Sequence, residues 1–139
     1  MMPSMTDPPT RTVHQLRLVV TADDFDAAVA FYRDALGMAE AESVSSPGGR
    51  IVILDAGRAT LEIVDAAHAV YIDAVEVGQR VAGPIRVAFE VDDSTAMTAR
   101  LADAGGTIIA PPVRTPWRSM NARLDGPDLQ LTLFTEPTD

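Results

Sequence analysis

The segment Leu16–Met38, LRLVVTADDFDAAVAFYRDALGM, and the segment Ile85–Thr107, IRVAFEVDDSTAMTARLADAGGT, align without a gap. Arg17 falls on Arg86, Asp23-Asp24 on Asp92-Asp93, Ala27 on Ala96, Asp34-Ala35 on Asp103-Ala104, and Gly37 on Gly106. Leu16/Ile85 and Leu18/Val87 match apolar for apolar in the same register. One supersecondary unit is therefore written twice. Two copies predict a pseudo-symmetric fold with a ligand site between the halves.

Each copy opens with a strand. In residues 14–20, Leu16, Leu18 and Val20 alternate with Gln15, Arg17 and Val19; in 85–91, Ile85, Val87, Phe89 and Val91 alternate with Arg86, Ala88 and Glu90. The first set should face a helix and the second should face whatever the other side of the sheet encloses. The helices follow at once. Asp23 or Asp24 can cap the first and Asp92 or Asp93 the second, each accepting a free backbone N–H. Phe25, Ala28, Val29, Tyr32 and Leu36 mark one face of the first helix, with Gly37 as its left-handed stop. Met97, Leu101 and Ala104 mark the second, which ends at Gly105-Gly106. Neither helix can hide its apolar stripe alone, so both must lie on sheet.

Further strands are expected at 39–44, 50–56 and 59–64 in the first copy and at 107–110, 119–124 and 129–134 in the second. Ser46-Pro47-Gly48-Gly49, Gly57-Arg58 and Asp125-Gly126-Pro127-Asp128 supply turns. The order is βαβββ twice, an α+β class. It predicts a flexible tail at 1–11 and a single domain over 12–136. The modules span about 13–65 and 84–136, and the connector 66–83 is expected to form a short helix over the site.

Composition narrows the function. The chain has 139 residues, 47% of them hydrophobic and 22% charged, and no cysteine, which removes disulfides, thiolate metal sites and a Cys nucleophile. Eleven basic against twenty acidic residues give −9, a field that repels phosphate backbones and anionic membranes, so no nucleic-acid or membrane partner is expected. No apolar run reaches the ~20 residues a spanning helix needs. The first residues, MMPSMTDPPTRT, lack the apolar core of a signal peptide, and a cytoplasmic location is expected. There is no Gly-rich phosphate loop, G-x-S-x-G elbow or H-E-x-x-H pair.

This order, with Phe31-Tyr32-Arg33-Asp34 and Leu36-Gly37-Met38 matching an FYRDxLGM pattern, resembles the vicinal oxygen chelate superfamily. That group contains glyoxalase I, extradiol dioxygenases, fosfomycin-resistance enzymes and bleomycin-resistance binding proteins. Pro127-Asp128 and the strand Leu-Gln-Leu-Thr-Leu-Phe after it resemble the closing turn and last strand, although Asp-Gly-Pro-Asp departs from the usual Asp-Pro-Asp-Gly. The resemblance covers roughly 13–136. It implies two βαβββ modules with pseudo-twofold symmetry, their mixed sheets forming a cup-shaped cavity.

The resemblance also implies a divalent metal held by one residue near the start of each first strand and one on each last strand, mostly His and Glu. Glu62 stands at the first last-strand position, and its counterpart Thr132 is a poor ligand. The first-strand positions are Arg17 and Arg86, or Gln15 and Pro84 in the other register of the same parity. A guanidinium has a permanent charge and no lone pair. His14 lies one residue off, on the opposite face. No metal and no cofactor are therefore expected.

By parity the concave face carries Gln15, Arg17, Thr60, Glu62, Val64, Arg86, Ala88, Glu90, Gln130, Thr132 and Phe134. Arg17 and Arg86 have two readings. They clamp an anionic group of a small molecule, or they pair internally, Arg17 with Glu62 and Arg86 with Glu90. Trp117 either walls the pocket or seals the core edge, and Arg118 adds a cation at that rim. His68 and Tyr71 read as ordinary surface or dimer-contact residues before they read as lid groups or proton carriers. Phe31-Tyr32 reads as core packing.

The leading expectation is a glyoxalase/bleomycin-resistance-like homodimer that binds a small anionic molecule without a metal. The expected contacts are Gln15, Arg17, Glu62, Arg86, Glu90, Trp117 and Thr132. Its rival is a metal-dependent lyase or dioxygenase using Glu62 with Gln15 or His14. A third alternative is metal-free catalysis with Glu62 or Glu90 as base, Glu62 being the best catalytic candidate. The sequence leaves open whether any reaction is catalysed.

Overall fold

A computed structural model describes residues 12–136, so the expected tail at 1–11 lies outside the described residues. The fold is organised by the first strands of the two repeats. Strands β1 (Val13–Thr21) and β5 (Ile85–Val91) pair antiparallel, with Leu18 opposite Val87, Arg17 opposite Ala88 and Val19 opposite Arg86. Because the repeat equates Arg17 with Arg86 and Val19 with Ala88, this is the register required by a twofold through the Leu18/Val87 pair.

Each centre strand then takes the last strand of its own module in parallel: β4 (Thr60–Val64) beside β1 and β8 (Leu129–Thr135) beside β5. Antiparallel hairpins add β3 (Gly49–Asp55) and β2 (Glu40–Ser46) on one side, and β7 (Met120–Gly126) and β6 (Thr107–Arg114) on the other. The result is one mixed, curved, unclosed sheet of eight strands in the order β2-β3-β4-β1-β5-β8-β7-β6. Both βαβββ modules come from this single chain. The expected β6 stopped at Ala110; the observed strand runs to Arg114 through register shifts that absorb Pro111 and Pro112, which cannot donate to the ladder.

Helices α1 (Phe25–Val29) and α3 (Ser94–Asp103) lie on the face chosen by the apolar alternation. Phe25 and Val29 pack on Val52, Leu54 and Ile63, while Met97 and Leu101 pack on Phe89, Leu124 and Leu133. Asp24 caps α1 through the Ala27 N–H and Asp93 caps α3 through the Ala96 N–H, each at 3.0 Å. Burying Phe25 and Val29 removes about 2 kcal/mol of apolar exposure each.

Two expectations fail after Val29. Residues Ala30–Ala35 wind as a π-helix, with Leu36 N–H bonding back to Phe31 O rather than to Tyr32. The wider turn advances the phase, so Leu36 and Phe31 are exposed and Met38 packs on the core in place of Leu36. The extra residue also shifts the stop signal: Gly37 has φ 85, and its structural counterpart is Gly105 at φ 107, not Gly106. In α3 the buried face is Ser94 and Thr98 beside Met97 and Leu101, while Ala104 is the exposed C-cap.

The connector forms α2 (Ala66–Glu76), which crosses the other face of the sheet. Asp65 caps it through the His68 N–H at 2.8 Å, and Ala69 and Ile72 pack on Val64 and Ile51. Gly49 permits this approach. Its φ is +119, and a Cβ there would stand 2.5 Å from the His68 backbone nitrogen. None of the described helices is long and apolar enough to cross a membrane.

Candidate functional site

Between α2 and the sheet lies a cavity of about 330 Å³. Register decides its floor. Glu62, Val19 and Arg86 sit side by side across β4, β1 and β5, and Arg17, Ala88 and Thr132 form the next row across β1, β5 and β8. Between the charges Val19, Ala88 and Phe134 make an apolar cluster. His68, Tyr71 and Ile72 of α2 form the facing wall, and Trp117 closes it from the β6–β7 connection.

The pseudo-twofold positions make two unequal pairs. The Arg17 guanidinium lies 3.7 Å from Glu62, 3.2 Å from Glu136 and over the Phe134 ring at 4.9 Å, and its Nε donates to Gln15 Oε1. Arg17 thus meets two carboxylates. Arg86 is only 6% exposed, yet its single hydrogen bond among the described residues runs from Nη1 to Thr132 Oγ1 at 2.7 Å. No described carboxylate lies within ion-pairing distance of it. Burial draws its pKa down, opposed at longer range by Glu76 and Glu62. A guanidinium has five N–H donors, so most of Arg86's donors await a partner.

Glu62 is equally enclosed. Burial pushes its carboxyl above the usual range, against the pull of Arg86 and Arg17. His68 is 8% exposed with its Nδ1 unpartnered, and burial lowers its pKa, so the ring is neutral.

A second polar layer holds α2 in place. Arg123 of β7 is 0% exposed and donates to Asp73 at 2.8 Å, Glu76 at 2.8 Å and Gln130 at 2.9 Å. Asn121 donates to Glu76 at 2.8 Å, and Ser119 donates to Asn121. Burial would push the Asp73 carboxyl up, but donors from Ala82, Val81, Arg80 and Arg123 outweigh it and hold the group at about 2. This layer escaped sequence reasoning. The available signal was parity, since Asn121 and Arg123 alternate with apolar Ala122 and Leu124 on a strand with one polar-facing side.

Of the expected contacts, Arg17, Glu62, Arg86, Thr132 and Trp117 line the cavity, whereas Gln15 and Glu90 do not. Those two stand opposite each other further along β1 and β5. The internal Arg86–Glu90 pair does not form, because four residues of strand separate them by roughly 13 Å; Thr132 takes that place. Val64 and Gln130 are taken up beneath α2, and Thr60 is not part of the lining. His68 and Tyr71, read as surface groups, are wall residues, because the connector folds inward. His14 is on the outside, bonded to Asp92. Phe31, read as core, is 63% exposed for the helical reason given above.

A resident divalent metal does not suit this set. The four pseudo-equivalent positions hold two guanidiniums, a threonine and one carboxylate, and no three His, Cys, Asp or Glu side chains converge among the described residues.

A cup on paired βαβββ modules defines a class with one scaffold and many chemistries. The chain belongs to the Glyoxalase/Bleomycin resistance protein/Dioxygenase superfamily, whose family model matches residues 14–138. Among solved structures it is similar to methylmalonyl-CoA epimerase from Mycobacterium tuberculosis, with 20% identity, 96% of this chain and 94% of that one covered, and TM-score 0.62. It is similar to a single-residue variant of Streptomyces coelicolor methylmalonyl-CoA epimerase in complex with 2-nitronate-propionyl-CoA, at 23% identity, 90% and 94% coverage and TM-score 0.59. A hypothetical protein from Bacillus halodurans C-125 matches at 13% identity, 91% and 95% coverage and TM-score 0.64. These likenesses establish the fold alone. No curated protein matches the chain.

Proposed function

We propose that the cup binds a small organic molecule through one anionic group, without a metal, with Arg86 as the anchor. The carrying observation is an imbalance. Arg17 is neutralised by Glu62 and Glu136, and Arg123 by Asp73 and Glu76, while buried Arg86 has only a neutral threonine. A buried, under-paired cation costs stability, and an anion that takes its free N–H donors relieves that cost. We take the protein to be a cytoplasmic homodimer; the homodimer is supported by the edge strand β2, exposed along its whole length, and by the exposed Phe31 and Leu36.

The test is Arg86→Met, read in two ways. If Arg86 is an anchor, the variant loses anion binding by calorimetry while the free protein keeps its stability or gains about 1 kcal/mol in urea unfolding. If Arg86 is a scaffold residue, the same change lowers stability and leaves binding of small carboxylates unaltered, and the reading is wrong.

A further inference from the structure

We propose that the ligand is a planar aromatic monocarboxylate, with its acid group on Arg86 and its ring against the wall of His68, Tyr71 and Trp117. This rests on the anion-binding reading above and adds the chemical class. The wall is a continuous row of rings: the centroids of His68 and Tyr71 are 5.7 Å apart, and those of Tyr71 and Trp117 are 6.0 Å apart. Helix α2 holds the first two rings facing the sheet, whose surface at this point is apolar Val19, Ala88 and Phe134. A flat, polarisable ring fits between an aromatic wall and an apolar floor, because offset-stacked and edge-to-face ring contacts add to plain area burial.

The head group follows from charge. One guanidinium has no described carboxylate within ion-pairing distance, and its planar fork matches a carboxylate. A phosphate-type dianion would bring a second charge into a cup already lined by Glu42, Glu62 and Glu136. That charge would be desolvated beside Arg17, which already meets Glu62 and Glu136. The neutral His68 ring does not draw the acid away from Arg86.

Trp117 is the sole tryptophan, so intrinsic fluorescence reports from the proposed wall itself. Four probes are titrated by calorimetry, with fluorescence alongside: 2-naphthoate, its saturated analogue decahydro-2-naphthoate, neutral 2-naphthylmethanol and 2-naphthyl phosphate. The expected order places 2-naphthoate first, roughly fivefold tighter than the saturated acid from ring contacts, and at least tenfold tighter than the alcohol or the phosphate. Trp117→Leu, at a side chain 39% exposed, and independently Tyr71→Leu, should reduce the preference for naphthoate over its saturated analogue toward unity while both acids still bind.

Equal affinity for the flat and saturated acids overturns the aromatic class and leaves anion binding standing. Tighter binding of the phosphate overturns the monoanionic head. Binding of the alcohol as tightly as the acid, or binding of none of the four, overturns this inference and the anion-binding reading together.

Discussion

Arg123 offers the sharpest check on how the cup is held together. It is fully buried on β7, and through bonds of 2.8 Å to both Asp73 and Glu76 it ties α2, which carries the cavity wall, to the second module. In Arg123→Met, Asp73 keeps Arg80, Val81 and Ala82 as donors, but Glu76, 3% exposed, keeps only Asn121. Removing one partner of a buried pair costs about 3–5 kcal/mol, mostly from the carboxylate left behind. A methionine of similar length recovers part of the packing, so a loss of about 4 kcal/mol is expected by equilibrium urea unfolding with an unchanged slope. Glu76→Gln alone should cost about 2 kcal/mol. The double variant should be less destabilised than the sum of the two by about 2 kcal/mol, because the second change removes the charge that the first left unpaired. Arg123→Lys, with its charge but no fork, should fall between wild type and Arg123→Met. A loss below about 1 kcal/mol for Arg123→Met, or strict additivity in the cycle, would refute the view that this pairing anchors the helix.

Three further outcomes follow from the same geometry. Asp73, held at about 2 against a usual 3.8, supplies stability that is complete above pH ~3.8 and lost as pH falls toward 2, about 2 kcal/mol in all; Asp73→Asn should flatten that acid limb, and an unchanged limb contradicts the assignment. Glu62 is shifted the other way, so its protonated form persists above the ordinary carboxyl range and it favours the folded state less as pH rises through its titration. Affinity for an anionic ligand should accordingly strengthen on acidification, and Glu62→Gln should remove that dependence in calorimetric titrations at several pH values. Gly49→Ala forces a Cβ against the α2 backbone at positive φ, and a loss of about 3 kcal/mol in urea unfolding is expected; a loss within about 1 kcal/mol would mean that the hairpin moves aside freely.

The repeat made the architecture readable because its signals are local or symmetric. Strand alternation at Arg17 and Arg86, the caps at Asp24 and Asp93, and the Gly37 stop each depend on residues within one turn or one pleat. The registry of Glu62 with Thr132 follows from symmetry and needed no coordinates. Leu36 shows where local reading fails: its spacing fits an α-helix, but a π turn rotates it outward and delivers Met38 to the core. That choice is made by packing, to which the spacing is blind.

From the sequence alone came the superfamily's two-module α+β plan, the strand faces and the placing of Arg17 and Arg86 at equivalent positions of the two repeats. Tertiary structure decided the rest. It made His68 and Tyr71 of the expected connector helix part of the cavity wall and moved Gln15 and Glu90 off the site. It gave Arg123 to two acids of α2 that lie 47 and 50 residues away in the chain. The physical reason is range. Periodicity and capping are settled among neighbours along the chain, whereas the partner of a buried charge is settled by which distant groups the closed fold brings into hydrogen-bonding reach, and that is also why Arg17 ended paired and Arg86 did not.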